Sequence, residues 1–171
     1  MKNSQFMNSV ITYVAEHGLF TIDLIGFIGP LLLMCITFIH LWTFYRYLIV
    51  YVVFFVVNIM INKWLKLWIR QPRPSGGKSI LGEVYTGEHE YGMPSAHAQT
   101  AMYSIVYLYS VSQHSLWLVI GLWIASLTIY QRWSYNRHTI AQLFVGVLVG
   151  GVMAYIAKWA ADYWITERHF W

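Results

Sequence analysis

Acids and bases punctuate this chain at wide intervals, and the text between them is apolar. Between Asp23 and Arg46, residues 24–45 read LIGFIGPLLLMCITFIHLWTFY, with no Asp, Glu, Lys or Arg. A helix needs about 20 apolar residues to cross a hydrocarbon core of about 30 Å, so this stretch predicts a first membrane span with Pro30 near its start. Residues 47–62 (YLIVYVVFFVVNIMIN) predict a second, shorter by a turn, which Arg46 and Lys63 lengthen by snorkelling towards the headgroups. Residues 91–131 have twice the length of one span and a polar break at SQHS, 112–115, so they predict two spans joined by a tight reversal. Residues 139–157 predict a fifth, with Gly146, Gly150 and Gly151 giving a small-residue face for close packing. Ahead of these, residues 5–20 put Phe6, Val10, Ile11 and Val14 on one side, which predicts an interfacial helix ending at Gly18. No short apolar core with a cleavage site opens the chain, so no cleaved signal peptide is expected, and the first span itself would target the protein.

Composition agrees with a bilayer protein. With 58% hydrophobic and only 11% charged residues, the chain has too little charge to cover the surface of a soluble globule. The expected fold is all-α: a polytopic membrane helical bundle of about five transmembrane helices plus the interfacial one. With no repeat, linker or low-complexity tract, residues 1–171 are expected to form one domain. The single cysteine, Cys35, excludes an internal disulfide and any multi-cysteine metal site. The net charge of +4 is modest, but Lys63, Lys66, Arg70, Arg73 and Lys78 all precede any acid in the loop after the second span. An anion is the natural partner for such a run.

Three polar clusters interrupt the apolar text: KLWIRQPRP (66–74), PSAH (94–97) and RWSYNRH (132–138). Alternating spans place all three on one membrane face. Lys63, Lys66 and Arg70 are spaced for one side of a helix that Pro72 and Pro74 terminate, leaving Arg73 extended. Lys63 and Arg70 could equally be interfacial anchors, a reading that suits Lys66 and Arg73 less. Ser95 is a plausible N-cap, with the amides of Ala96 and His97 turned towards any anion at that helix start. Arg132 and His138 need a turn between them to address one ligand. Gln142, one helical turn beyond His138, could accept a hydrogen bond from one ring nitrogen and leave the other exposed as a nucleophile. The bland alternative is a satisfied polar contact between helices. Metal hydrolysis competes poorly, because no acid stands beside His97 or His138 at ligand spacing. His89 with Glu88 and Glu90 is the one compact cluster, and the glycines around it read as a flexible loop.

Taken in order, Lys66-x6-Arg73-Pro74, Pro94-Ser95-Ala96-His97 and Arg132-x5-His138 resemble the three-part signature of the type 2 phosphatidic acid phosphatase superfamily, which includes the vanadium haloperoxidases. The similarity runs over roughly residues 45–155. It implies that His138 attacks phosphorus to form a phosphohistidine and that His97 protonates the leaving oxygen. Lys66, Arg73, Arg132, the Ser95 hydroxyl and an amide near Ala96 would hold the phosphoryl oxygens, with no metal or other cofactor. The chain departs from the family pattern at Ala96, where Gly is usual, at Gln131, where Ser is usual, and at Gln142, where Asp is usual. A neutral amide orients a histidine without stabilising its cationic form, so one reading is a crippled enzyme.

RQPRPSGG, YGMPSAHAQ and RHTIAQ resemble the corresponding segments of dolichyl diphosphate phosphatases, which also carry Gln at the last position. That branch implies conversion of a polyprenyl diphosphate to its monophosphate in the endoplasmic reticulum, with the active site facing the lumen. Arg70 and Lys78 are then the spare bases for the second phosphate. The expected partners are the bilayer and its lipid substrate, not nucleic acid. A broad-range lipid phosphate phosphatase and a catalytically silent lipid-phosphate binder are the competing functions. A channel is disfavoured because the polar residues gather at one face instead of lining a path.

Overall fold

The computed structural model describes residues 2–80 and 90–167, with side chains over 20–80 and 90–165. Five helices follow in order: α1 (Lys2–Leu41), α2 (Tyr45–Ile69), α3 (Ala96–Ser112), α4 (Ser115–Ser134) and α5 (Ile140–Glu167). The all-α bundle expected from the apolar periodicity is the fold observed. Its N-terminal boundary is corrected, because residues 5–20 and the first span form one continuous α1 with no stop at Gly18. A helical glycine costs only about 1 kcal/mol, too little to end a helix that apolar sequence continues. The reversal at 112–115 is as expected, with Gln113 adopting a left-handed conformation (φ 53°) that closes α3.

Among the described residues, three stretches are long and apolar enough to cross a membrane: Phe20–Leu41, Tyr45–Ile69 and Ile140–Ile165. The second and fifth outrun the predicted spans because helix persists past the apolar text into charged, interfacial turns. Within α3, 17 residues long, the tyrosines, serines and Gln99 dilute the hydropathy, and the reason lies in its position. It packs against all four other helices, so its side chains meet protein more than lipid. Tyr51, Tyr103 and Tyr107 are buried, and their hydroxyls reach Ser104 Oγ, Tyr51 O and Tyr47 O respectively. A buried phenol is stable in such surroundings only when its hydroxyl is bonded.

Apolar side chains cover the outside. Ile39, Trp68 and Tyr155 are 74%, 72% and 73% exposed, an exterior that suits lipid and would be untenable in water. The chain is an integral membrane protein.

Small residues bring α5 against α3. A Cβ on Gly146 would strike the Ser95 carbonyl oxygen, and one on Gly150 the Gln99 carbonyl oxygen. Both obstacles are backbone, which cannot step aside. A second, polar tie joins α2 to the same turn of α3. Buried Gln99 donates through Nε2 to Asn58 O and Oδ1 (2.8 Å each) and accepts from Asn62 Nδ2 (2.7 Å). Prediction: Gly150→Ala forces α5 off α3 and costs roughly 1–3 kcal/mol, seen as a lower unfolding midpoint in a detergent titration. An unchanged midpoint would mean that the helices have room to spare.

Candidate active site

The polar ends of α2, α3, α4 and α5 converge at one end of the bundle. Asn58, Asn62 and Lys66 are buried on one side of α2, at steps of four residues. Here the expected face is corrected: Lys66 is 4% exposed, whereas Lys63 and Arg70 are exposed. Neighbours four apart on a helix stack more closely than those three apart in this register, so the asparagines, not Lys63, share the face of Lys66, and Arg70 leaves that face because it stands beyond the last helical residue. Lys66 Nζ donates to the Tyr91 carbonyl at 2.7 Å. Arg70 ends α2 in a left-handed turn (φ 53°), and its Nε donates back to Leu67 O at 2.9 Å.

Beyond that turn, Pro72 and Tyr91 form an isolated antiparallel bridge. Gly92 N donates to Gln71 O (2.8 Å) and Arg73 N to Glu90 O (3.3 Å). The clasp holds Arg73 extended, as the flanking prolines predict. His89 and Glu88 lie outside the described residues. Lys78 is exposed, with its amide bonded to Tyr135 O at 2.9 Å, and Asn136 Nδ2 bonds to Ser75 O. The basic loop is thereby tied to the turn between α4 and α5.

That turn solves the spacing of Arg132 and His138. Asn136 takes a left-handed conformation (φ 53°), and the amides of Arg137 and His138 both fold back onto Arg132 O (2.9 and 3.3 Å). Arg132 is 1% exposed, with its guanidinium 4.8 Å from the centroid of the Phe27 ring. The same ring lies 5.8 Å from the His97 imidazole. Ser95 caps α3 and accepts from Ala98 N at 3.5 Å. The first-turn amides at Ala96 and His97 belong to the group that no helix can satisfy internally.

At the centre, His138 is 3% exposed. Arg73 Nη1 donates to the Arg137 carbonyl (3.1 Å) and lies 2.8 Å from His138 Nε2. Gln142 Oε1 lies 3.3 Å from His138 Nδ1 and accepts from Thr139 N at 3.2 Å. Its Nε2 donates to Pro72 O at 2.9 Å and to Gln71 Oε1 at 3.1 Å. Thr139 N can only donate and Pro72 O can only accept, so the amide has one orientation. His138 Nδ1 therefore carries the proton, and Nε2 presents a lone pair to Arg73. Burial holds the His138 imidazole well below the ordinary value of 6.5, helped by the charges of Arg73, Lys66 and His97, with the Gln142 bond pulling weakly the other way.

The structure thus gathers Lys66, Arg73, Ser95, Ala96, His97, Arg132, His138 and Gln142 at one end, while Arg70 and Lys78 stand at its exposed rim. Phe27 escapes a reading of the sequence, and Gln71, Tyr91 and Gly92, which stand in the segments that carry the resemblance, are given no role by it, since what they contribute is a carbonyl or an empty space. Only the asparagines four and eight residues before Lys66 signalled a buried polar face.

This end of a helical membrane protein therefore sets a buried, hydrogen-bonded histidine among cations. The model of the PAP2 superfamily matches residues 45–166, and the chain belongs to that superfamily. The crystal structure described as the first transmembrane PAP2 type phosphatidylglycerolphosphate phosphatase, from Bacillus subtilis, has a similar fold. The TM-score is 0.56 at 18% identity, over 94% of this chain and 95% of that one. No curated protein sequence matches the chain. Its fold is that of PAP2-type membrane lipid phosphatases.

Two outcomes are expected. As pH falls through the lowered value of His138, Nε2 takes up a proton and loses its lone pair, so if that nitrogen attacks the substrate the acidic limb of kcat/KM lies below 6.5. In Lys66→Met one opposing charge is lost, and the limb moves up. A limb above 6.5 in the native protein would contradict the buried, cation-flanked imidazole. Gln142→Glu sets a carboxylate oxygen against Pro72 O and lowers turnover at neutral pH at least about tenfold. Activity at or above the native level would show that the Pro72 contact imposes no constraint.

Proposed function

We propose that this protein hydrolyses a polyprenyl diphosphate of the dolichyl type to the monophosphate and inorganic phosphate, without a metal. The observation that carries this reading is the pair of bonds on His138, Nδ1 to Gln142 and Nε2 to Arg73. A phosphoryl oxygen is a better acceptor for a guanidinium than an imidazole nitrogen. Substrate binding moves Arg73 onto the phosphate and bares the Nε2 lone pair. Nε2 forms a bond to the terminal phosphorus while the bond from that phosphorus to the bridging oxygen breaks, and His97 delivers a proton to the departing oxygen. Water then cleaves the N–P bond and releases phosphate. Lys66, Arg73, Arg132, the Ser95 hydroxyl and the Ala96 amide hold the equatorial oxygens as charge spreads.

The choice of a diphosphate is supported by residue 142. As an amide it adds no negative charge to offset the cations, so the site favours a headgroup more anionic than a monoester. Arg70 and Lys78 at the rim are the bases for the second phosphate. The isoprenoid tail stays in the bilayer, and we place the site on the luminal side of the endoplasmic reticulum, following the resemblance to the dolichyl branch.

The test is phosphate release by purified protein in detergent with EDTA, offering a polyprenyl diphosphate, a polyprenyl monophosphate, phosphatidate and phosphatidylglycerolphosphate. Expected is EDTA-resistant release that favours the diphosphate, vanishes in His138→Ala, and loses its preference over monoesters in Arg70→Gln/Lys78→Gln. Equal cleavage of all four lipids would make it a broad-range lipid phosphatase. No cleavage of any would favour the silent lipid-phosphate binder.

A further inference from the structure

The Gln142 amide touches four groups, and two residues with no role in the chemistry decide whether it can do so. Gln71 supplies one of the two acceptors on Nε2. Its own carbonyl accepts from Gly92 N, so the two residues are fixed to each other across the clasp. Gly92 is buried against the tip of the same amide. A Cβ built there would lie 2.6 Å from both Cδ and Nε2 of Gln142, and closer still to Oε1. The absent side chain is therefore the space that the amide occupies. Gly92 is not among the positions of positive φ, so alanine suits its backbone. Conformational freedom is not what the glycine supplies there.

We propose that Gln71 and Gly92 are positioning residues: together they clamp the Gln142 amide and, through it, hold His138 with its proton on Nδ1 and its lone pair on Nε2. This rests on His138 being the nucleophile. The clamp explains how a neutral amide can stand in the orienting position. An amide has a wrong way round, and a carboxylate does not. Pro72 O and Thr139 N select the right one, Gln71 reinforces it, and Gly92 admits it. The three atoms nearest a methyl group at Gly92 all belong to the far end of one side chain, that of Gln142. Gly92→Ala should accordingly displace the amide while leaving the helices in place.

The experiment uses the full chain in detergent and has two readouts. In the native protein, the nitrogen-15 shifts of the His138 ring are expected to show a protonated Nδ1 and a bare Nε2. In Gly92→Ala the two nitrogens should move towards each other as the tautomers mix, with the unfolding midpoint lowered no further than in Gln142→Ala. On a polyprenyl diphosphate, Gly92→Ala should lower kcat to the level of Gln142→Ala with KM within about twofold. Gln71→Leu should lower kcat about 3- to 10-fold, as loss of one hydrogen bond predicts. Neither change should cost anything further in a Gln142→Ala background, since the residue they act through is gone. Ring nitrogens unmoved in Gly92→Ala, or losses that multiply in the double variants, would overturn the clamp. Full activity in His138→Ala would instead overturn the nucleophile, while the nitrogen shifts still decided the clamp.

Discussion

The carboxamide of Gln142 is the junction on which the site depends. Fully buried, it meets the segment after α2 through Pro72 and Gln71, and the turn before α5 through His138 and Thr139. The backbone oxygen of the same residue accepts from Ser95 N at the start of α3 (3.0 Å). Segments far apart in sequence are thus fastened to one residue. In a buried, water-poor setting each of these bonds matters, because an amide left unsatisfied there costs as much as several kcal/mol. The order of residues around His138 follows from satisfying that one group.

The rest of the fold keeps the junction in register. Gln99 ties α3 to the buried face of α2 four and eight residues before Lys66, and Gly146 and Gly150 let α5 approach the backbone of Ser95 and Gln99. These contacts lie within a turn or two, along the helices, of Lys66, His97 and His138. Packing between helices therefore sets distances among side chains that share no sequence motif. Because lipid tails are as apolar as the helix exteriors, burial alone gives little preference for one helix neighbour over another. Close glycine contacts and the asparagine–glutamine ladder supply that preference.

Much of this was legible beforehand. Charge spacing marks the five main helices, and the three polar clusters mark one end of the bundle, because both are periodic or local signals. The break expected at Gly18 failed, since a lone glycine is a weak stop. The buried face of Lys66 differs from the expected one because Asn58 and Asn62 precede it at steps of four, Lys63 lies three away, and Arg70 stands past the end of the helix. Phe27 and Tyr91 act through a ring face and a carbonyl, which many residue types could supply. Gly92 acts through what it lacks. Contributions of that kind become visible only when the partner, here the Gln142 amide, is seen in contact.

Lys66, Arg73, His97, Arg132 and His138 lie at the end formed by the start of α3, the start of α5 and the exits of α2 and α4. At the other end, Lys158 Nζ closes on Asp162 at 2.6 Å, and Tyr47 OH bonds the same carboxylate. The molecule is therefore polar in the sense that a battery is: its two faces are chemically unlike, and no rearrangement short of refolding exchanges them. Which compartment the reactive face meets is settled once, when the helices enter the bilayer. Insertion in the opposite sense would yield an intact protein in the same membrane that addresses the other aqueous phase.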